Sequence, residues 1–85
     1  MVQNNEAAKS DKIEIVRLYI KEVAQEKMIN RYQIAKISGI DYQIIDYYWK
    51  NERYRYDRDI ILKLCKALKC VPGDIIRISV EPSGE

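Results

Sequence analysis

The amino-acid sequence predicts a single all-α domain built from five helices. Apolar residues recur at intervals of three and four through residues 11–78, which is the spacing of helices with one buried face. Acidic, amide and proline residues that favour helix starts precede these periodic segments. Residues 1–10 and 79–85 are polar and aperiodic, so we expect them to be flexible tails on either side of the domain.

The first predicted helix follows Asp11, which is placed to cap its start. Its core stripe consists of Ile13, Val16, Ile20, Val23 and Ala24. Three further apolar residues lie outside this stripe: Ile15, Leu18 and Tyr19. Two explanations of these three are open. A long helix in a small domain can bury both of its flanks, and the same residues can form a surface for a homodimer.

The second helix is expected to begin at Asn30, because Asn30 and Gln33 have the spacing of a capping box. Its inward residues are Ile34, Ala35 and, at the edge, Ile37. It ends at Gly39, since glycine most readily takes the left-handed conformation that follows a helix. Together these residues predict a short helix followed by a tight turn.

The third helix follows Asp41, which can cap it, and the segment of residues 41–51 contains four aromatic side chains. A step of 100° per residue divides this helix into two faces. The face predicted to be buried carries Ile44, Ile45, Tyr48 and Trp49. The face predicted to be exposed carries Tyr42, Gln43, Asp46, Tyr47 and Lys50.

Two more helices complete the predicted domain. Asp57 is placed to cap the fourth, and its inward residues are Ile60, Ile61, Leu64, Cys65 and Leu68. Pro72 suits the first turn of a short fifth helix, because its missing N–H would be unbonded there anyway. Only residues 77–80 (RISV) have a pattern that also fits an extended strand.

Composition narrows the classes of function. An 85-residue chain has room for one small core, and 15 basic against 13 acidic residues leave a net charge of +2. This charge is compatible with a nucleic-acid partner but does not indicate one. Histidine, the commonest general base, is absent, so we do not expect an enzyme. No apolar run is long enough for a membrane span, so we expect a cytoplasmic protein with no membrane partner.

The two cysteines, Cys65 and Cys70, are the remaining candidates for metal or redox chemistry. They lie five residues apart near a predicted helix end, which is a poor spacing for a disulfide. Without histidine, a structural zinc site would need carboxylates or a second chain. We therefore expect reduced, buried thiols and no metal, cofactor or small-molecule ligand, with a metal or redox role as the alternative.

Ala35, Gly39 and Ile45 have the spacing of a helix-turn-helix, in which a small residue, a turn glycine and a branched residue let two helices pack closely. The pattern continues without a gap through NRYQIAKISGIDYQIIDYYWKNERYRYDRDIILKLCKALKCVPGDII. Over about residues 13–78 the chain resembles the Cro/C1 (XRE) family of helix-turn-helix transcriptional regulators, in its small single-domain branch. The resemblance implies a phage-repressor-like domain that binds double-stranded DNA and reads the major groove with helix 41–51.

The resemblance also implies two classes of DNA contact. The base-reading residues would be Tyr42, Gln43 and Tyr47. The residues that contact the DNA backbone would be Asn30, Arg31, Lys50, Arg53 and Arg55. Gln43 suits its role, because a glutamine amide can pair with N7 and N6–H of adenine. The loop suits its role because residues 50–58 carry four basic and two acidic side chains.

Several residues depart from the family pattern. Members often have Ser or Thr where this chain has Asp41, Ile44 and Asp46, and Lys50-Asn51 replaces the usual Asn-Gly. Asp46 would repel phosphate unless it accepts from a cytosine amine or pairs with Lys50. A face of two tyrosines and an aspartate is also typical of protein-binding surfaces. The alternative function is therefore a protein-interaction adaptor on the same scaffold.

Overall fold

Two strands and five helices make up the part of the chain that the structure describes. The structure is a computed structural model and describes residues 12–53 and 55–82. Its elements are β1 (Lys12–Leu18), α1 (Ile20–Glu26), α2 (Arg31–Ser38), α3 (Tyr42–Trp49), α4 (Arg58–Leu68), α5 (Pro72–Ile75) and β2 (Ile76–Pro82). The domain is therefore mixed, and the all-α prediction was wrong. Within the described ranges, no helix has the length and apolar character needed to cross a membrane.

The error lies in residues 12–18, which form a strand where the apolar stripe predicted the start of a helix. β1 pairs with β2 in an antiparallel sheet. The register runs from Lys12 opposite Pro82 to Leu18 opposite Ile76. The segment from Ile13 to Val16 is rich in β-branched side chains, which favour an extended chain, and β2 supplies partners for its backbone groups. Local periodicity does not reveal that partner, because it lies at the other end of the domain.

The helix predicted from residue 11 is shorter than expected. α1 begins at Ile20, directly after Tyr19, whose side chain makes no capping hydrogen bond. The predicted cap, Asp11, lies outside the described residues. The second half of the predicted stripe does lie on α1 and is buried: Ile20, Val23 and Ala24.

Of the two segments predicted to be flexible tails, the structure describes only the first part of the C-terminal one. β2 continues to Pro82, so residues 79–82 belong to the sheet. The extended conformation that residues 77–80 allow is therefore the one they adopt. Residues 1–10 and 83–85 lie outside the described ranges.

The predicted caps of α2, α3 and α4 are confirmed. The Asn30 side chain accepts from the Gln33 N–H at 2.9 Å, and the Gln33 side chain accepts from the Asn30 N–H at 2.8 Å, which completes the capping box. Asp41 and Asp57 each accept a backbone N–H at 2.8 Å, at the starts of α3 and α4 respectively. Pro72 occupies the first turn of α5. The caps fix where each helix begins and hence which side chains it exposes.

The hydrophobic core lies between the helices and one end of the sheet. Its largest fully buried side chains are Leu18, Ile20, Ile34, Ile45, Leu64, Leu68 and Ile75. The inward faces predicted for α3 and α4 are confirmed, with Ile44, Trp49 and Ile60 packed at the edge of the core. Ile37 is exposed, against the prediction. Each fully buried leucine or isoleucine stabilises the fold by about 1.5–3 kcal/mol.

The two strands form a ribbon, residues 12–18 and 76–82, of which only one end reaches the core. Leu18 lies in the core at that end. The exposed apolar residues of the ribbon are Ile13, Ile15, Val16, Ile78 and Val80. They occupy both faces of the sheet, because successive residues of a strand point to opposite faces. Among residues 12–53 and 55–82, no helix therefore packs against most of the ribbon.

Candidate nucleic-acid interface

α2 and α3 form a helix-turn-helix whose turn is built as the sequence predicts. Gly39 takes the left-handed conformation with φ 76°, and its N–H donates to the Ala35 carbonyl at 2.9 Å. Ile40 is buried within the turn, and Ile45 is fully buried on the inner side of α3. Because these residues hold one face of α3 against the core, the opposite face of the helix is left exposed.

Gln43, Tyr47 and Arg53 form a connected row along the exposed face of α3 and the loop after it. The Gln43 Nε2 donates to the Tyr47 hydroxyl at 3.4 Å. The Arg53 guanidinium lies over the Tyr47 ring, 4.3 Å from its centre. The row thus presents an amide, a phenol and a cation in succession, which suits contacts to base edges at one end and to phosphate at the other.

Tyr42 lies against a second tyrosine, Tyr32, which was not among the predicted site residues. Its ring stacks on that of Tyr32 with 4.6 Å between centres and 19° between planes. Tyr32 is 72 % exposed, which is unusual for so large a side chain. Its position could have identified it, because it follows the predicted backbone contact Arg31 in the first turn of α2. The stack therefore adds Tyr32 to the candidate interface.

Asp46 joins two of the predicted backbone-contacting cations. One carboxylate oxygen accepts from the Arg31 guanidinium at the start of α2, and the other lies 3.0 Å from the Lys50 ammonium at the end of α3. Lys50 first, and also Arg31, hold the pKa of the Asp46 carboxyl below its usual value, because both stabilise its charged form. Asp46 in turn raises the pKa of Lys50. We call these three residues the Asp46 clamp.

Aromatic rings also hold the Arg31 guanidinium. It lies 5.1 Å from the centre of the Trp49 ring and 5.8 Å from that of Tyr42. Trp49, assigned to the core by its helical spacing, is therefore a partly buried ring that contacts the candidate interface. The guanidinium is oriented from two sides, since a cation is attracted to the faces of aromatic rings.

Asn30 and Arg55 lie at the two ends of the candidate interface. The Asn30 side chain is engaged in its capping box, so an anion at this helix start would contact main-chain N–H groups. Arg55 is exposed in the loop before α4. Together with Arg53 and Tyr56 it lines a cavity of about 380 Å³. The predicted DNA-contacting residues thus share one continuous region made of the start of α2, α3 and the loop after it.

A second cavity, of about 420 Å³, adjoins the Asp46 clamp on the side of the ribbon. Four basic residues line it: Arg17, Lys21, Arg31 and Lys50. Arg17 and Lys21 were not predicted as site residues, because β1 and α1 were expected to form one helix. Arg17 is paired with Glu81 across the sheet at 3.1 Å. Lys21 extends the basic region to the start of α1.

The two cysteines are free thiols. Burial raises the pKa of Cys65, and it raises that of Cys70 to about 11, so both thiols are protonated at neutral pH. In residues 12–53 and 55–82, no group of three or more His, Cys, Asp or Glu side chains is arranged to hold a metal ion.

Residues 19–81 match the family model of the Cro/C1-type helix-turn-helix DNA-binding domain. The chain belongs to this family. The Cro/C1-type domain is therefore a sequence-specific double-stranded DNA-binding domain of the transcription-regulator class, and the adaptor alternative is not favoured. No curated protein matches the sequence significantly.

Two solved structures share the fold of this Cro/C1-type domain. One is a candidate DNA-binding protein from Bacteroides fragilis, with a TM-score of 0.65 and 22% identity, covering 74% of this chain and 100% of the other. The other is the transcriptional regulator VanUg, with a TM-score of 0.63 and 19% identity, covering 80% of this chain and 89% of the other. At these identities the similarity shows a shared fold and assigns no residue roles.

Proposed function

We propose that α3 of this Cro/C1-type domain lies in the major groove, where Gln43 and Tyr47 read base edges. The observation that carries this proposal is the row of Gln43, Tyr47 and Arg53 on the side of the domain opposite the core, in which Gln43 and Arg53 are exposed and Tyr47 is partly buried. Tyr42 contributes only the part of its ring that the stack on Tyr32 leaves free. An amide beside a phenol supplies both a donor and an acceptor to a base pair.

We assign the contacts to the DNA backbone to the cations that flank this row. Arg53 and Arg55 lie in the loop after α3, and Lys50 lies at its end. On the other side, Arg31 and the free N–H groups at the start of α2, next to Asn30, face a second phosphate strand. Phosphate contacts position such a domain, whereas base contacts specify the sequence.

Selection of bound sequences from a random duplex pool tests the proposal directly. We expect recovery of one motif, with affinity for it falling steeply as salt rises, because bound cations release counterions from DNA. Footprinting should then protect the major groove at that motif. Equal affinity for all sequences, or protection confined to the minor groove, would contradict a reading role for α3.

Because the partner is DNA, we also propose that the protein acts in the cytoplasm.

We further propose that two copies associate through the ribbon. A homodimer surface on a first helix, formed by Ile15, Leu18 and Tyr19, was one of the two explanations that the sequence left open, but residues 12–18 are a strand and Leu18 is buried. Tyr19 lies against the Arg77 guanidinium, 4.4 Å from its ring centre. Of the three predicted residues, Ile15 is exposed, but it lies opposite Ser79, on the other face of the ribbon from Val16 and Ile78.

The ribbon favours a second copy of this chain as its partner. Val16 lies opposite Ile78, with Val80 on the same face, and all three are more than half exposed. Lys12 and Glu14 continue that face with one charge of each sign, so the surface can be self-complementary about a twofold axis. A two-stranded sheet alone is marginally stable, and packing against a partner ribbon would bury the exposed apolar side chains of this face.

Sedimentation equilibrium tests the association. We expect a concentration-dependent dimer that Ile78→Glu converts to monomer while the variant still binds a single half-site. Leu62→Glu, which alters an exposed apolar residue on α4, is the matched control and should leave the dimer intact. A wild-type protein that stays monomeric at all concentrations, or an unchanged dimer in Ile78→Glu, would contradict association through the ribbon.

A further inference from the structure

Asp46 occupies an unusual position for an acidic residue in a DNA-binding domain. It lies on the recognition helix, within the region proposed to face DNA, and both of its carboxylate oxygens are bound to cations. Arg31 comes from the start of α2 and Lys50 from the end of α3. The carboxylate therefore bridges the two sides of the helix-turn-helix.

The two cations that Asp46 holds are among those assigned above to DNA phosphates. A carboxylate and a phosphate oxygen are equivalent partners for a guanidinium or an ammonium, since both are anionic acceptors. Each cation already directs part of its N–H donors and charge to Asp46, which leaves less of both for a phosphate. In the DNA-free protein, the Asp46 carboxylate contacts both cations.

We propose that Asp46 is an internal counter-anion that competes with DNA phosphates for Arg31 and Lys50, and so sets the affinity of the domain for DNA. The inference rests on the proposed roles of these two cations. On DNA binding, each cation transfers from the carboxylate to a phosphate, so the clamp contributes one net positive charge rather than two. Asp46 acts through its neighbours and touches no base in this role.

The aromatic contacts of Arg31 make such an exchange feasible. The ring centres of Trp49 and Tyr42 lie 5.1 and 5.8 Å from the Arg31 guanidinium. These rings would keep the guanidinium near the interface after its ion pair with Asp46 breaks. Lys50 has no aromatic ring within cation–π distance among the described residues, so its position depends more on Asp46. Removing the carboxylate should thus leave Arg31 positioned to contact a phosphate. The Lys50 side chain should become mobile, because it loses its ion-pair partner.

The variant Asp46→Asn tests the inference, because it keeps the shape of the side chain and removes its charge. We expect affinity for random duplex to rise on the order of threefold to tenfold at low salt, as expected when two partly exposed ion pairs no longer compete. The slope of log affinity against log salt should steepen by about one unit, because one more net charge neutralises DNA. Thermal melting confirms that the variant is folded.

Making Asp46→Asn in a protein that lacks both cations distinguishes two effects of Asp46: competition with phosphate for the cations, and direct repulsion of phosphate. In Arg31→Ala/Lys50→Ala protein, Asp46→Asn should change affinity less than about twofold, because there is no cation left to release. Asp41→Asn is the matched control on the same helix, since asparagine also caps a helix start and Asp41 lies outside the clamp. Its effect should be the same in both backgrounds.

The outcomes are distinguishable from failure of the proposed interface. If Arg31→Ala and Lys50→Ala each leave DNA affinity unchanged, the assignment of these cations to phosphate is wrong. If those variants weaken binding but Asp46→Asn leaves affinity and salt slope at wild-type values, the counter-anion inference is wrong. An equal or larger gain in the double-alanine background would show that Asp46 repels phosphate rather than holding the cations.

Discussion

Asn51 hydrogen-bonds both backbone groups of Leu18. Its Oδ1 accepts from the Leu18 N–H at 2.7 Å, and its Nδ2 donates to the Leu18 carbonyl at 3.0 Å. Leu18 is the last residue of β1 and is buried, whereas Asn51 follows α3 in the left-handed conformation with φ 59°. This one side chain thus joins the end of the recognition helix to the ribbon.

Replacing Asn51 should therefore destabilise the domain. Asn51→Gly tolerates the positive φ and removes only the two hydrogen bonds, so we expect a loss of about 1–3 kcal/mol in the free energy of unfolding. Asn51→Ala should lose about 1 kcal/mol more, because alanine is strained in that conformation. Urea denaturation of the two variants measures both effects. A glycine variant as stable as the wild type would mean that the contact does not hold the strand end.

Gly39 and Gly73 offer a matched pair for the turn. A Cβ at either position would meet no atom within 4 Å, but only Gly39 has a positive φ. Gly39→Ala should thus cost about 1–2 kcal/mol through backbone strain alone. Gly73→Ala, within α5, should be neutral or stabilise by up to about 1 kcal/mol, because alanine favours helix. Equal melting temperatures for the two variants would refute the left-handed turn.

Substitutions should distinguish the residues that contact bases from those that contact phosphates. Gln43→Ala should weaken binding to the selected site by about 1–3 kcal/mol and affect random duplex little, because it removes a base contact. Arg55→Ala should weaken both duplexes alike and reduce the salt slope by about one unit. Fluorescence anisotropy across a salt series measures both quantities. Gln25→Ala and Lys63→Ala, exposed on α1 and α4, are the controls.

Equal losses on both duplexes for Gln43→Ala would contradict the proposed reading role. Tyr47→Phe refines the same test, since it removes the hydroxyl that accepts from Gln43 and keeps the ring beneath Arg53. If the ring alone contacts a thymine methyl, this variant should keep the sequence preference of the wild type.

Acid should weaken the Asp46 clamp before it affects the core. The folded protein holds the pKa of Asp46 below its ordinary value of 3.8, so the ionised carboxylate stabilises the folded state above that pH. The contribution falls as pH drops from about 4 through the lowered folded pKa. Melting temperatures measured between pH 6 and pH 2 should accordingly fall less steeply for Asp46→Asn than for the wild type. Parallel curves would show that the clamp does not contribute to acid sensitivity.

The thiols should be unreactive and dispensable. Because burial raises the pKa of Cys65 and of Cys70, a disulfide reagent at pH 8 should react with native protein far more slowly than with unfolded protein. Cys65→Ala/Cys70→Ala should bind DNA as the wild type does, with a stability loss of about 1–2 kcal/mol per buried thiol. Zinc that co-purifies stoichiometrically and is lost in this variant would overturn the assignment.

The helical part of the fold is readable from local sequence signals. The Asn30 capping box, the left-handed Gly39 and the Asp57 cap each depend on residues within one turn of the chain, and all are present. The buried face of α3 also follows from spacing alone. Local chemistry determines these features, so a single sequence reveals them.

The ribbon and the clamp depend instead on distant residues. Ile13 and Val16 satisfy a helical spacing as well as a strand, and pairing with β2 decides between the two. The Arg31–Asp46 pair requires knowledge of how α2 packs on α3, whereas its Lys50 partner, four residues along the same helix, was foreseeable. The sequence therefore predicted the start and the buried face of α3, but not the ion pair that links its exposed side to α2.

The pairing of β1 with β2 also has a consequence for the order in which the domain assembles. The helix-turn-helix joins neighbours in the chain, but the ribbon joins segments separated by every helix of the described structure. Closing so long a loop has a large entropic cost, which slows the pairing of the two strands. The ribbon should therefore form after the helices have packed. Until then its β-branched strands are unpaired and prone to pairing with other chains. A nascent chain should therefore form its helix-turn-helix first and be most prone to aggregation just before the ribbon pairs.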